Sequence, residues 1–171
     1  MKTNKNLVLI GMMGSGKSTL GRLIAKKLGL VFIDVDHKIE LIEKVSVSKI
    51  FKKHGERYFR MIEEKISSQI LKESSKSVIS LGGGAFLNKK IQDLVLKKNI
   101  SFWLKWKNTS IIKRLKNFDK RPVLKDMNNE QIINLINQRS KTYSKADYII
   151  ECDSLIKSEI IEKIIQIYET N

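Results

Sequence analysis

Gly11-Met12-Met13-Gly14-Ser15-Gly16-Lys17-Ser18 fits the pattern G-x-x-x-x-G-K-[ST]. Its residue types are the ones a polyphosphate needs. Glycines let the backbone curl closely round the anion and aim successive N–H groups at its oxygens. Lys17 can reach the β- and γ-phosphates, and the Ser18 hydroxyl can ligate Mg²⁺. A helix beginning here would add its positive dipole end and unpaired N–H groups. The motif predicts a bound nucleoside triphosphate and leaves open what is done with it.

Other clusters could act on a second substrate. In Asp34-Val35-Asp36, two carboxylates at i, i+2 would leave a strand on the same side. One could orient the Mg²⁺ hydration shell and the other could accept a hydrogen bond from an attacking hydroxyl. The plainer alternative is a pair of turn or helix-cap aspartates. Gly82-Gly83-Gly84 is entropically costly, which points to backbone lying very close to a ligand or another segment. Arg60 and Glu63 are i, i+3 neighbours on a helical pattern, so the glutamate could hold the guanidinium or form a routine surface pair. Lys120-Arg121-Pro122 carries the only proline of the chain. It suggests a lid delivering positive charge to a transferring phosphate, or else an exposed loop. Arg139 lies in a polar helical pattern and could equally be solvated.

Arginine is scarce: Arg22, Arg57, Arg60, Arg114, Arg121 and Arg139 are the full set among 33 lysines and arginines. Where lysine is the default cation, each retained arginine hints at a planar fork for carboxylate or phosphate.

These residues must be positioned by alternating strands and helices. Short apolar runs predict strands at Leu7–Ile10, Val31–Asp34, Val78–Leu81, Ser101–Leu104 and Tyr148–Glu151. Helical patterns cover Lys17–Leu28, Ser46–Lys53, Arg57–Lys72, Lys89–Lys97, Ser110–Asn117, Asn129–Ser144 and Leu155–Glu169. Such alternation argues for an α/β fold, a parallel sheet with helices on both faces. Ligands in such sheets gather at the carboxyl ends of the strands, where the unusual residues fall.

The 171 residues suit one domain, residues 1–171. No apolar run approaches a membrane span, and the short one at the N-terminus leads into the phosphate loop rather than a signal-peptide cleavage site. The single Cys152 excludes an internal disulfide and fits a reducing cytoplasm. A net charge of +15 raises the possibility of nucleic acid. Yet the lysines are dispersed, with no basic stripe interleaved by aromatics, which favours a solvated lysine surface.

The chain resembles the shikimate kinase family over nearly its whole length. GMMGSGKST at Gly11–Thr19, DVD at Asp34–Asp36, FRMIEE at Phe59–Glu64, SLGGGA at Ser80–Ala85, KRP at Lys120–Pro122 and QRSKTY at Gln138–Tyr143 carry the resemblance. It implies a P-loop NTPase core with a five-stranded parallel sheet, a substrate-binding region at about 36–64 and a lid at about 115–126. The implied reaction moves the γ-phosphate of ATP to the 3-hydroxyl of shikimate, with one Mg²⁺ ion, in aromatic amino acid biosynthesis. The resemblance assigns the phosphates to Gly14, Ser15, Gly16, Lys17, Ser18 and Thr19, and the metal to Ser18 and, through water, Asp34. It assigns the shikimate hydroxyls to Asp36, the substrate carboxylate to Arg60 and Arg139, and backbone contacts to the Gly82, Gly83 and Gly84 turn. Arg121 becomes the lid cation and Arg114 stacks near adenine. Lys17, Asp36 and Arg121 are then the catalytic set.

The partners implied are ATP and shikimate, with a monomer, no membrane and no nucleic acid expected. The chain departs from the family in lacking a glycine before Arg121-Pro122 and a proline in the loop after the last strand. Gluconate kinase, a rival, would show His-Pro after its acidic pair and no triple glycine; here Asp36 is followed by His37-Lys38. A basic nucleic-acid-binding P-loop protein is the rival from another class.

Overall fold

The computed structural model describes residues 3–74, 76–115 and 127–171. Five strands, β1 (Leu7–Ile10), β2 (Val31–Asp34), β3 (Ser77–Ser80), β4 (Ile100–Lys105) and β5 (Tyr148–Glu151), form one sheet in the order β2-β3-β1-β4-β5. Every neighbouring pair is parallel. The helices are α1 (Lys17–Leu28), α2 (Val35–Glu43), α3 (Val47–Glu73), α4 (Lys89–Lys98), α5 (Asn108–Leu115), α6 (Asn129–Tyr143) and α7 (Lys157–Glu169), with a 3-10 turn at Ala85–Leu87.

The period-two geometry of β1 explains why helices cover both faces. Val8 and Ile10 join Ile79 and Leu81 in a core with Phe59, Ile62 and Ile66 of α3, Ile91 and Val95 of α4, and Ile132 and Ile136 of α6. Leu7 and Leu9 face the other way, onto Leu20 and Ile24 of α1 and Ile160, Ile161, Ile164 and Tyr168 of α7. At the amino edge Asn6 ties three elements together. Its amide donates to Asn99 Oδ1 (2.7 Å) and the Ser74 carbonyl (2.9 Å), and its side-chain oxygen accepts from the Ser77 N–H (3.0 Å). The parallel register therefore brings the carboxyl ends of the strands to one opposite edge. Among the described residues no helix is long and apolar enough to cross a membrane.

Two features differ from the sequence reading. The segment after Asp34 does not continue extended. It turns directly into α2, with the Asp34 carboxylate accepting from the His37 N–H (3.3 Å) and with Val35 and Ile39 buried one turn apart. The local cap and the i, i+4 apolar pair outcompete the strand. The two helical patterns on either side of Gly55 follow one another without a loop as α3, which is kinked at Gly55, where φ is 77° and ψ 174°.

Candidate active site

The phosphate loop leaves the end of β1 and enters α1 as its sequence predicts. Gly14 and Gly16 have φ of 77° and 91°, left-handed values that suit glycine, and Gly16 is the residue preceding the first turn of α1. Lys17 is only 8 % exposed, and its Nζ donates to the carbonyls of Gly11 and Met12, both at 2.9 Å. Its ammonium thus already lies folded into the loop. Ser18 and Thr19 are exposed on the first turn of α1, and the buried Ser15 Oγ has no hydrogen-bond partner.

Beside the loop a cavity of about 320 Å³ is lined by Gly16, Thr19, Trp106, Arg114, Leu155 and Lys157, among others. Arg114 Cζ lies 3.5 Å from the centre of the Trp106 ring, and Trp106 Nε1 donates to the Ser15 carbonyl (3.0 Å). Asp153, in the loop after β5, accepts from the Lys107 N–H and the Ser110 hydroxyl, which fixes the start of α5.

A second pocket, lined by Met13, Asp36, Arg60, Glu63, Gly83, Gly84 and Arg139, adjoins the phosphate loop through Met13. The triple glycine makes it possible. A Cβ on Gly82 would stand 2.5 Å from Glu63 Oε1 and 2.7 Å from Asp36 Oδ1, so both carboxylates rest against that backbone. A Cβ on Gly84 would meet Arg60 Nη1 at 2.5 Å, and one on Gly83 would approach the Met13 nitrogen to 3.1 Å. The turn after β3 therefore lies between the guanidinium, the carboxylates and the phosphate loop with no room for side chains.

Charge in this pocket is unevenly satisfied. Arg60 Nη1 donates to Glu63 Oε2 at 2.7 Å, and Arg60 also reaches Glu56 Oε1 at 3.0 Å. Glu63 is 2 % exposed. Burial pushes its pKa above the usual glutamate value, and the Asp36 charge adds to the rise while Arg60 opposes it. Arg139 is 5 % exposed; its Nη1 approaches the Gly83 carbonyl at 3.4 Å and its Nε has no partner. Among the described residues no carboxylate lies within ion-pair distance of it. Tyr143, one turn further along α6, donates its hydroxyl to the Gly83 carbonyl, and burial raises its pKa to about 12. It is a fixed neutral donor.

Asp36, Arg60, Gly82, Gly83, Gly84 and Arg139 thus converge, and Met13 joins their pocket to the loop that carries Lys17, Ser18 and Thr19. The i, i+2 argument for Asp34 and Asp36 does not hold, because a helix begins at Val35. Asp34 caps α2 and borders a separate groove with Phe32 and His37. Arg121 and the rest of 116–126 lie outside the described residues. Sequence reasoning gave no role to Trp106 and none of its own to Tyr143. The i, i+4 spacing from Arg139 to Tyr143 was a usable signal; a lone tryptophan after a strand was not.

The family model described as shikimate kinase matches residues 13–169. A shikimate kinase of Thermodesulfovibrio yellowstonii is 41% identical over 166 residues, 96% of this chain and 95% of that protein. One from Rhizobium leguminosarum bv. trifolii is 35% identical, over 95% of this chain and 83% of its own length. Among solved structures, the shikimate kinase from Acinetobacter baumannii in complex with shikimate superposes with a TM-score of 0.92 at 30% identity, covering 99% of this chain and 96% of that one. A gluconokinase from Sinorhizobium meliloti, at 15% identity and a TM-score of 0.59, shares the fold alone. With a phosphate loop and a triple-glycine turn at the strand ends of a single parallel sheet, and relatives matching over nearly all of its length, the chain belongs to the shikimate kinase family.

Proposed function

We propose that this protein transfers the γ-phosphate of ATP to the 3-hydroxyl of shikimate, giving shikimate 3-phosphate and ADP. The observation that carries the reading is Arg139, a buried guanidinium with an unpartnered Nε in a pocket that adjoins the phosphate loop. A buried cation with no carboxylate in ion-pair contact is costly, and an acceptor that brings a carboxylate would supply one. Arg60, held by Glu63, offers a second fork to the same group.

With the carboxylate end gripped, Asp36 faces the hydroxyl end, where it can accept the hydrogen bond of the attacking group and align it. Phosphoryl transfer has a loose transition state, so alignment and charge neutralisation count for more than strong base catalysis. Orientation alone can supply roughly 7–11 kcal/mol. Lys17 stabilises the charge developing on the transferred group, Arg121 adds charge from the lid, and Arg114 stacks by the adenine.

The donor set near the loop fits Mg²⁺ brought in with the nucleotide. Ser18 offers a hard oxygen on the loop, and Asp34, at the end of β2, would act only through water from its place capping α2. When bound, the ion neutralises phosphate charge. The enzyme acts as a cytoplasmic monomer in aromatic amino acid biosynthesis. An ADP-release assay against shikimate, quinate and gluconate tests the assignment: turnover should require shikimate, and equal or greater turnover with gluconate would overturn it.

A further inference from the structure

We infer that Trp106 is a positioning residue for the nucleotide, acting through Arg114 and the phosphate loop at once. The inference rests on the proposed use of this loop for ATP. Trp106 follows β4, where Lys105 accepts the Cys152 N–H, so its backbone is set by the sheet. Its side chain then does two separate things. The indole N–H donates to the Ser15 carbonyl at 3.0 Å. That bond fixes one carbonyl of the loop, while the Ser15 N–H is tied to Met12 O at 3.2 Å. The indole face, meanwhile, carries the Arg114 guanidinium carbon 3.5 Å from the ring centre.

A guanidinium is planar and has two faces. With one face laid on Trp106, the other is presented to the cavity bordered by Thr19, Leu155 and Lys157. A nucleobase can add to it as the third layer of an indole–guanidinium–base stack. Arg114 Nη1 also lies 3.9 Å from where a Gly16 Cβ would be, so the same cation flanks the phosphate loop. An arginine side chain left free would lose rotamer freedom on each binding event. Trp106 holds that freedom already restricted, so the free protein is prepared for the base as well as for the phosphates.

The test is nucleotide affinity by calorimetry with ADP, independent of turnover, alongside KM values for ATP and shikimate. Trp106→Leu keeps apolar bulk but removes both the π face and the N–H donor. Its ADP Kd and ATP KM should rise roughly 5- to 15-fold, the span expected when binding must itself order one rotamer-rich side chain and the Ser15 carbonyl has lost its donor. Its shikimate KM should stay within about twofold, a split that general loosening of the fold would not produce. Trp106→Phe restores the face without the donor and should recover most of the affinity, leaving roughly a threefold deficit. In an Arg114→Leu background, Trp106→Leu should add only the part due to Ser15, because the stack is already gone. Trp103→Phe removes the other tryptophan, so in that variant the emission change on adding ADP should come from Trp106 and saturate at the calorimetric Kd.

Unchanged ADP affinity in folded Trp106→Leu, full additivity with Arg114→Leu, or an equal rise in shikimate KM would each overturn the role. Wild-type protein that binds ADP but does not phosphorylate shikimate would refute the proposed activity while leaving these affinity comparisons decisive for Trp106.

Discussion

Arg139→Met separates what the fold wants from what the substrate wants. Arg139 is 5 % exposed, with long Nη1 contacts to the Gly83 carbonyl at 3.4 Å and the Met12 sulfur at 4.0 Å and an unpartnered Nε. A buried ion carries an effective penalty of several kcal/mol unless it is paired and hydrogen-bonded. Methionine fills much of the same channel with apolar atoms, and the Gly83 carbonyl keeps its bond from Tyr143. The unliganded variant should therefore be as stable as the wild type or more stable by about 1–2 kcal/mol. At roughly 2–4 °C per kcal/mol for a chain of this size, thermal melts should show no loss and a rise of up to about 8 °C.

Shikimate binding should move the opposite way. Each charge-assisted hydrogen bond is worth about 1.5–3 kcal/mol, and the substrate carboxylate would enter a buried pocket with Arg60 as its sole cation. A loss of about 3–4 kcal/mol is a rise of roughly 10²–10³-fold in the shikimate KM, with ATP affinity little changed. The measurements are differential scanning calorimetry without ligand and steady-state kinetics with each substrate varied. A melting temperature that falls by about 5 °C or more, together with an unaltered shikimate KM, would refute the reasoning and make Arg139 a structural residue.

Three further outcomes follow from the same pocket. Gly82→Ala would place a Cβ 2.5 Å from Glu63 and 2.7 Å from Asp36, well inside van der Waals contact. The displaced Asp36 should lower kcat by about 10- to 100-fold, and near-normal turnover would contradict the close approach. Glu63 has its folded-state pKa raised above 4.5. Its contribution to stability is therefore fully present below the unfolded value and is lost as pH rises through the folded one. Relative to Glu63→Gln, the wild type should lose stability across that window in urea titrations, and a flat or growing difference would refute the shift. Asp36→Asn should cut turnover severely, by about 10²-fold or more, while leaving ADP affinity intact; calorimetry and initial rates read the two separately.

Much of the machinery was legible before any folding was considered. The phosphate loop is local chemistry: glycines, a lysine and a serine at fixed spacing, between an apolar run and a helical pattern, where neighbouring residues alone decide the conformation. The strands β1, β2 and β5 fall where their apolar runs place them, and β3 and β4 shift only at their ends. The scarcity of arginine in a lysine-rich chain already narrowed the unusual cations to six, Arg60, Arg114 and Arg139 among them. Asp34 shows where local reading stops: strand exit and helix cap use the same residue types, and only the burial of Val35 and Ile39 beneath α2 decides between them. The convergence of Asp36, Arg60, Gly83 and Arg139 was likewise beyond composition and spacing, and it entered the sequence reading only through the family resemblance. Those residues lie on four elements, and their meeting depends on how parallel strands are ordered and on backbone passing between charged groups with no side chain in the way. Sequence determined that a phosphate-binding loop exists and which cations were unusual. Tertiary structure decided which of those cations is left buried and unsatisfied beside the loop, because desolvation is a property of the packed molecule and of no single residue.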